Sequence, residues 1–424
     1  MPDGERTLTI VIPALNEERA IGATIRRCLD ARDQIVAASS IDSVELIVVS
    51  DGSSDRTEEI AKGFAEVSVL AFDANRGYGA AIKTGWQHAC GEYLGFLDGD
   101  GTCDPTVFAD LCRAIDAEGA DIALASRMGP GSAMPRVRTI GNRIFAWLLG
   151  ALSKRSVEDT ASGMRVVRRA CLEALYPLPD GLHFTPAMSA RVLIADTLKL
   201  VELPMAYAER TGESKLSVLR DGFRFLMAIL RAAVTFRPAR LLLVIAGVLG
   251  LAAIAVGSGP WLHWLREGRL DEWEIYRILL ASLLVTSTAI FACGAVVAEW
   301  IAAVAHGRPP ASSGVTGLLA RLFTPRMRLV GGAALLLVAV AIVWPGIVEF
   351  VSTGEVEMHW SRAMLASLLV VIAMMLAVTT FLLNMLTLIE AEGAETVRER
   401  PPDRVRPARN DHEPPLPAAT VAKP

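Results

Sequence analysis

Apolar residues are distributed unevenly along the chain, and its two halves predict different structures. Residues 1–215 alternate short apolar runs with charged segments, whereas four long segments in the second half contain no charged residue. These segments are 241–265 (25 residues), 278–298 (21), 329–348 (20) and 363–389 (27). Since a bilayer core takes roughly 20 apolar helical residues to cross, each predicts a transmembrane helix. Buried core helices are the alternative, but four such runs leave little polar surface to cover them.

The charges of the loops predict how these helices are oriented. The loop from Ala303 to Arg328 contains four arginines and no acidic residue, whereas the loop after the third segment carries Glu349, Glu355 and Glu357. Five arginines approach the first segment: Arg220, Arg224, Arg231, Arg237 and Arg240. Because positively charged loops stay in the cytosol, both termini and the first half are expected there. The start, MPDGERTLTIVIP, lacks the pattern of a secretory signal, and the expected location is a bacterial inner membrane.

A basic amphipathic segment joins the two halves. Residues 215–237 place Arg220, Arg224 and Arg231 on one helical face, which predicts a helix lying on the cytosolic leaflet, with an apolar flank formed by Leu219, Phe223, Leu226 and Leu230. The expected divisions are a catalytic domain (1–215), this helix (216–238), a membrane domain (239–390) and a disordered cytosolic tail (391–424). FRPARL from Phe236 and FTPRMRL from Phe323 suggest a duplicated helical hairpin, with chance similarity as the alternative.

The first half alternates strand-like apolar runs with helical stretches. The runs are LTIVIP from Leu8, VELIVVS from Val44, VSVLAF from Val67, YLGFLDGD from Tyr93 and DIALAS from Asp121. Strand–helix alternation predicts an α/β domain with a largely parallel sheet and helices on both faces. Ligands bind such sheets at the carboxyl ends of the strands.

Composition narrows the functional classes. Hydrophobic residues make up 52% of the chain, charged residues 21%, and the mean hydropathy is +0.39, which excludes a fully soluble enzyme, a disordered protein and a fibrous one. A net charge of −4 argues against nucleic acid as the main partner. The six cysteines have no C-x-x-C spacing, and the six histidines are scattered, so neither predicts a zinc site or a nucleophilic triad.

The segment GFLDGDGTCDP carries the clearest chemistry. A buried strand runs into Asp98-Gly99-Asp100-Gly101, so two carboxylates emerge together at the carboxyl end of a strand. Hard cations such as Mg²⁺ or Mn²⁺ take one or two carboxylates together with phosphate oxygens. An Asp-Gly turn with solvated acids is the alternative.

A basic stretch follows the fifth run. From Arg127 to Val157 there is no acidic residue, but six basic ones: Arg127, Arg136, Arg138, Arg143, Lys154 and Arg155. Arginine forks suit phosphate, and the glycine- and proline-rich MGPGSAMP is expected to be a mobile loop over the site. The alternative is a solvated basic face near anionic lipids.

Five ordered motifs resemble those of a known family. PALNE, SDGSSDRT, NRGYGAAIKTG, DGDGTCDP and DTASGMR occur in the order found in family-2 glycosyltransferases with the nucleotide-diphospho-sugar (GT-A) fold. With four membrane helices following, the chain resembles the polyprenyl- or dolichyl-phosphate glycosyltransferases. The resemblance covers about residues 7–215.

The resemblance implies roles for individual residues. Asp98 and Asp100 match the metal-binding D-x-D, and these two with Arg127 and Asp159 are the expected catalytic residues. The expected nucleotide-sugar contacts are Pro13, Asn16, Glu17, Asp51, Asn75, Gly77, Gly79, Lys83 and Asp98. The expected acceptor-phosphate contacts are Arg127, Arg138, Ser162, Arg210 and Lys215. For DTASGMR, which contains Asp159 and Ser162, a capped turn is the alternative.

Together these features predict a membrane-bound inverting glycosyltransferase that uses Mg²⁺ or Mn²⁺, a nucleotide-diphosphate sugar and a polyprenyl phosphate. An acceptor phosphate has a second pKa of about 6, so no general base is required. Another lipid acceptor and a processive polysaccharide synthase are alternatives, although neither glutamine, Gln34 nor Gln87, begins the Q-x-x-R-W motif of such synthases. A flippase role of the four helices for lipid-linked sugar, and a homo-oligomer, also stay open.

Overall fold

A seven-stranded mixed sheet forms the centre of the first half. The computed structural model describes residues 5–129, 132–153, 155–209, 215, 217–306 and 324–398. The strands are β1 (Thr7–Ala14), β2 (Ser43–Ser50), β3 (Ser68–Ala71), β4 (Tyr93–Leu97), β5 (Ile122–Ser126), β6 (Met164–Arg168) and β7 (Leu200–Pro204). Their order in the sheet is β3-β2-β1-β4-β6-β5-β7. All neighbours are parallel except β6, which is antiparallel to both β4 and β5.

The predicted α/β class is confirmed, and β1 to β5 coincide with the five apolar runs. β6 and β7 were not predicted. The sequence of β6, MRVVR, begins inside the DTASGMR motif, whose polar residues indicate a ligand contact or a capped turn and not a strand. Its insertion between β4 and β5 brings that motif to the strand ends that carry Asp98 and Arg127.

Helices cover both faces of the sheet. They are α1 (Ile21–Asp30), α2 (Arg32–Ala38), α3 (Thr57–Lys62), α4 (Tyr78–His88), α5 (Val107–Glu118), α6 (Arg136–Leu152), α7 (Leu172–Leu175) and α8 (Phe184–Ala195). Along β1, Ile10 and Ile12 pack with α1, α2, α3 and α5, whereas Val11 packs with α4, α7 and α8. The alternation of side chains along a strand therefore divides the core into two layers.

Helix α9 (Val218–Phe236) occupies the place of the predicted amphipathic helix, but its buried side is not the predicted flank. It buries Phe225, Ile229, Ala233 and Phe236, a helical stripe that packs against α6 and α8. Leu219 and Phe223 remain 87% and 61% exposed. Because part of its apolar surface is used inside the protein, α9 is anchored to the catalytic domain as well as available to a membrane.

Four long apolar helices form the second half. They are α10 (Pro238–Glu267), α11 (Ile275–Ala305), α12 (Pro325–Thr353) and α13 (Trp360–Arg398). All four are long and apolar enough to cross a membrane. The tail expected to be disordered from residue 391 begins as helix, because α13 continues to Arg398, and residues 399–424 lie outside the described ones.

The membrane helices form two hairpins, α10 with α11 and α12 with α13, which meet along α11 and α13. Small residues or proline are buried every seven residues on the first helix of each hairpin: Ala239, Ala246, Ala253 and Pro260 on α10, and Gly332, Ala339 and Gly346 on α12. Small residues allow close approach of helices in a bilayer. The same spacing in both hairpins agrees with the suggested duplication.

Candidate functional site

A cavity of about 520 Å³ lies at the carboxyl ends of the strands and extends between α6 and α9. Ten of the predicted site residues line it: Pro13, Glu17, Asp51, Asn75, Gly77, Asp98, Asp100, Arg127, Arg138 and Lys215. Of the other predicted residues, Asn16, Gly79, Lys83, Asp159 and Ser162 are not among the lining residues, and Arg210 lies outside the described ones.

Asp51 stands at the end of β2 and is only 3% exposed. Its carboxylate accepts hydrogen bonds from the backbone N–H groups of Arg76 (2.6 Å) and Gly77 (3.0 Å). Burial raises the pKa of Asp51, and these bonds only partly offset that effect. Gly77 has a φ of +108°, and a Cβ built on it would lie 2.5 Å from the carbonyl oxygen of Asp180, so only glycine fits this turn.

Asp98 is held between Tyr78 and Gly163. The hydroxyl of Tyr78 donates to the Asp98 carboxylate (2.6 Å), and the N–H of Asp98 donates to the carbonyl oxygen of Gly163 (3.1 Å). Burial, followed by the Asp98 charge, raises the pKa of Tyr78 well above its ordinary value, so the phenol stays a hydrogen-bond donor. Sequence reasoning missed Tyr78, although it lies inside the NRGYG motif.

Asp100, 3% exposed, lines the same cavity. One of its carboxylate oxygens accepts bonds from the hydroxyl (2.7 Å) and the N–H (3.2 Å) of Thr102. Among the described residues there is no group of three His, Cys, Asp or Glu side chains suited to hold an ion. Two carboxylates facing a ligand cavity nevertheless fit Mg²⁺ or Mn²⁺, since such ions take further ligands from phosphate and water.

Arg127 is fixed by Asp159 in a bidentate ion pair. Its Nε and Nη2 lie 2.7 and 2.8 Å from the two carboxylate oxygens, and its N–H also donates to Asp159 (3.0 Å). Burial opposes ionisation of Asp159, but the charge and hydrogen bonds of Arg127 outweigh it and lower the pKa of Asp159. Asp159 is fully buried, so it positions Arg127 instead of contacting a ligand in the cavity itself, as a catalytic residue would.

The other residues of the DTASGMR motif are internal. Ser162 is fully buried, and its hydroxyl donates to the carbonyl oxygen of Ala125, so it stabilises the strand ends and does not reach an acceptor phosphate. Arg165 is also fully buried and donates to the carbonyl oxygens of Ser162 (3.2 Å) and Thr160 (2.9 Å). Burial lowers the pKa of Arg165 to about 10.

Three residues predicted to bind the nucleotide sugar hold loops in place. Asn16 has a φ of +51°, and its side-chain oxygen accepts the N–H of Ser54 (2.8 Å). The ammonium of Lys83 binds the carbonyl oxygen of Leu178 (2.9 Å) and the carboxylate of Asp180 (2.6 Å). Gly79 donates its N–H to the carbonyl oxygen of Asp180 (2.6 Å).

The basic side chains reach the cavity from several elements. Arg127 follows β5, Arg138 lies on α6, and Arg224 lies on α9. Lys215 comes from the segment before α9, and its ammonium is 2.6 Å from a carboxylate oxygen of Glu17. Arg224 was not predicted as a site residue, because its spacing placed it on the membrane face of α9.

Apart from Arg138, Asn142 and Arg224, the part of the cavity between α6 and α9 is lined by apolar residues and glycines. Met134, Val137, Phe145, Val218 and Phe225 line it, and the rings of Phe145 and Phe225 pack edge to face at 5.9 Å. The outer side of α6 carries four exposed apolar residues at helical spacing: Val137, Ile140, Ile144 and Trp147. This spacing is visible in the sequence, but the prediction for this stretch rested on its basic residues and did not include the apolar ones.

Comparison with known proteins agrees with these motifs. The family profile described as "Glycosyl transferase family 2" matches residues 9–175. The chain is 30% identical over 222 residues to the dolichyl-phosphate hexose transferase of Haloferax volcanii, covering 51% of this chain and 89% of that relative. The chain belongs to glycosyl transferase family 2. The matched region of this family 2 member runs from β1 to α7 and contains Asp51, Asp98, Asp100 and Arg127.

Other similar proteins match this family 2 chain over different fractions of its length. It is 28% identical over 304 residues to undecaprenyl-phosphate 4-deoxy-4-formamido-L-arabinose transferase of Photorhabdus laumondii, covering 70% of this chain and 89% of the relative. It is 31% identical to the low-salt glycan biosynthesis hexosyltransferase Agl6 of Haloferax volcanii, of which it spans only about half (52%). Among solved structures, glucosyl-3-phosphoglycerate synthase from Mycobacterium tuberculosis is 24% identical, with a TM-score of 0.41, over 54% of this chain and 80% of that one.

Proposed function

We propose that the protein transfers a sugar from a nucleotide-diphosphate donor to a polyprenyl phosphate at a membrane surface. The observation that carries this proposal is that one cavity is lined by carboxylates at the strand ends, by arginines, and by apolar side chains of α6 and α9. A lipid phosphate has a charged head and an apolar chain, and a cavity with both basic and apolar side chains suits both parts of it. Two relatives named above are transferases for undecaprenyl and dolichyl phosphate.

The donor belongs at the end formed by β1, β2 and β4. Asp51 and Glu17 are the candidates for the nucleoside, because both line this end of the cavity near the glycine turn at Gly77. Asp98 and Asp100 would hold a divalent cation, which neutralises charge on the leaving diphosphate when bound. Tyr78 and Gly163 fix the orientation of the Asp98 carboxylate.

The acceptor phosphate belongs beside Arg127 and Arg138. An oxygen of this phosphate attacks the anomeric carbon, the bond from that carbon to the diphosphate breaks, and the nucleoside diphosphate leaves with the electron pair. A single displacement of this kind inverts the anomeric configuration. The phosphate monoester is largely dianionic at neutral pH and needs no base, and no histidine is among the described residues that line the cavity. Orientation and charge stabilisation then provide the rate enhancement.

The test is transfer by the purified full chain. The protein in detergent is supplied with undecaprenyl phosphate, Mg²⁺ or Mn²⁺ and, in turn, UDP-glucose, UDP-GlcNAc and GDP-mannose. We expect a lipid-linked product with at least one donor. Asp100→Asn should abolish transfer, whereas Asp104→Asn, a nearby turn residue outside the cavity lining, should retain it. If the wild type transfers no sugar from any of these donors, the proposed function is wrong. If Asp100→Asn transfers sugar at a near-normal rate, the proposed metal site is wrong.

We also propose that the catalytic domain and both termini face the cytosol, as the loop charges suggest. Cys90 is exposed on the catalytic domain and serves as a natural probe. An impermeant maleimide added to intact spheroplasts should not label Cys90 or the variant Gly314→Cys; Gly314 lies outside the described residues. It should label Thr353→Cys, at the end of α12. The reverse labelling would invert the orientation.

A further inference from the structure

The three arginines of α9 have different surroundings. Their spacing alone assigns Arg220, Arg224 and Arg231 to one basic face near the lipid headgroups. In the structure all three are exposed, but of the three only Arg224 is among the described residues that line the cavity. The amphipathic pattern therefore does not account for Arg224.

A buried acid fixes the position of Arg224. Asp221 is fully buried, and its two carboxylate oxygens accept bonds from the N–H of Ser217 (2.8 Å) and from Nη1 of Arg224 (3.2 Å). An unpaired buried carboxylate is costly, so this arrangement favours one orientation of the arginine three residues later. A side chain that is already ordered loses less conformational entropy when it binds an anion.

The setting of Arg224 indicates which anion it meets. Gly222 and Phe225, which are close to it along α9, also line the cavity, and Phe225 packs on Phe145 of α6. Arg224 therefore lies on one of the two helices that carry the apolar residues of the cavity lining, whereas Asp51 and Asp98 line the same cavity from the strand ends. A phosphate joined to such a chain would be met by arginines from both helices, Arg138 from α6 and Arg224 from α9.

We propose that Arg224, held by Asp221, contacts the phosphate of the lipid acceptor. This inference rests on the proposed function, because it assigns a further binding residue to the same acceptor. It removes Arg224 from the set of surface arginines whose only role is to attract anionic lipids, and it makes α9 a wall of the acceptor site.

The experiment compares arginines on one helix. Arg224→Ala is measured against Arg220→Ala and Arg231→Ala, which remove the same charge from the same helix outside the cavity. Rate is followed against undecaprenyl phosphate concentration, and donor affinity is measured by calorimetry. We expect Arg224→Ala to raise the acceptor KM by at least about 10-fold with unchanged donor affinity, as for loss of a charge-assisted hydrogen bond. The two control variants should stay within about twofold.

Two further arms separate the sources of phosphate. Each variant is assayed in nanodiscs of neutral lipid and in nanodiscs containing anionic lipid. If the higher acceptor KM of Arg224→Ala persists in neutral nanodiscs, Arg224 contacts the acceptor. If the KM rises only in anionic nanodiscs and Arg220→Ala shows the same rise, Arg224 contacts the lipids of the leaflet, and the inference is wrong. Asp221→Asn should reproduce part of the rise in acceptor KM. If its donor affinity is unchanged, the variant is folded, and the rise reflects loss of the positioning of Arg224.

The outcomes for the two proposals differ. If the wild type transfers no sugar to undecaprenyl phosphate, the proposed function fails before Arg224 is tested. If the wild type transfers but Arg224→Ala behaves like its controls, or weakens only the donor, the inference about Arg224 fails and the proposed function stands.

Discussion

The carboxylate of Asp98 occupies the space in which a side chain of Gly163 would lie. A Cβ built on Gly163 would be 1.9 Å from Oδ2 of Asp98. The two residues face each other because β4 and β6 are antiparallel neighbours, with Leu97 opposite Met164. The glycine of the DTASGMR motif is therefore required by the aspartate of the DGDG motif, 65 residues earlier in the chain.

Gly163→Ala should displace the Asp98 carboxylate and lower the transfer rate at least about 100-fold. In a site that depends on orientation, a shift of a catalytic group by about 1 Å can lower the rate by this factor. The measurement is the initial rate as a function of Mg²⁺ or Mn²⁺ concentration. Gly150→Ala is the matched control, because its Cβ would lie at an ordinary 3.7 Å from Ser156 and outside the cavity lining. A normal rate for Gly163→Ala at saturating metal would contradict this interpretation of Asp98.

Asp159→Asn should destabilise the catalytic domain, because it leaves the guanidinium of Arg127 without its carboxylate partner. Removing one member of a buried pair costs about 3–5 kcal/mol. Asp110→Asn breaks the exposed Asp110–Arg113 pair and should cost less than about 1 kcal/mol. Urea denaturation of the full chain in detergent, followed by the protease susceptibility of the catalytic domain, compares the two. If both variants lose the same free energy of unfolding, the Arg127–Asp159 pair stabilises the protein no more than an exposed ion pair does.

Gly141→Leu should obstruct the passage between α6 and α9. Gly141 and Gly222 line the cavity from the two helices, and apart from the adjoining residues of the same helix no atom of the described residues lies within 4 Å of a Cβ built on either. Glycine inside a helix costs about 0.5–1 kcal/mol relative to alanine, so its presence here needs a reason other than packing. We interpret both glycines as keeping the passage open for the acceptor chain.

The expected result for Gly141→Leu is a higher KM for undecaprenyl phosphate, by about 10-fold or more, with unchanged donor affinity. Arg143→Leu adds the same side chain to an exposed position of α6 outside the cavity lining and serves as the control. An unchanged acceptor KM for Gly141→Leu, with the donor still bound, would place the lipid chain elsewhere.

Asp116→Asn should remove an acid-sensitive part of the stability. Asp116 is not among the residues that line the cavity, and it accepts bonds from Tyr93 (2.7 Å), Arg6 (2.8 Å) and Arg168 (2.8 Å). Burial opposes its ionisation, but hydrogen bonds, including that from Ser40, outweigh it and lower the pKa of Asp116 from 3.8 to about 2. Because the folded pKa is depressed, this stability is present above pH 3.8 and is lost as the pH falls through 2.

The depressed pKa of Asp116 corresponds to about 2 kcal/mol at neutral pH. Wild type and Asp116→Asn should therefore differ by about this amount in the free energy of unfolding at pH 6, and the difference should shrink below pH 3.8. Asp73→Asn, at an exposed loop position, controls for loss of a carboxylate. A difference that does not depend on pH would attribute the effect of Asp116 to packing.

The sequence by itself determined the features that depend on neighbouring residues. The lengths of the charge-free segments predicted four membrane helices, because the thickness of a bilayer sets the number of residues needed. The apolar runs predicted β1 to β5, and the position of Asp98 and Asp100 directly after a buried strand predicted that both would reach a ligand site. In each case a pattern within one segment carries the information.

Only the tertiary structure decided which residues meet across the chain. The order of the strands, with β6 antiparallel between β4 and β5, brings Gly163 to Asp98 and Asp159 to Arg127. Asp159 and Ser162 of the DTASGMR motif were predicted to contact ligands, but both are buried and stabilise the site from within the protein. Likewise, the periodicity of α9 shows a basic face but not which arginine of that face meets a cavity. Periodicity repeats along one element, whereas the partner of each side chain is set by the packing of elements far apart in sequence.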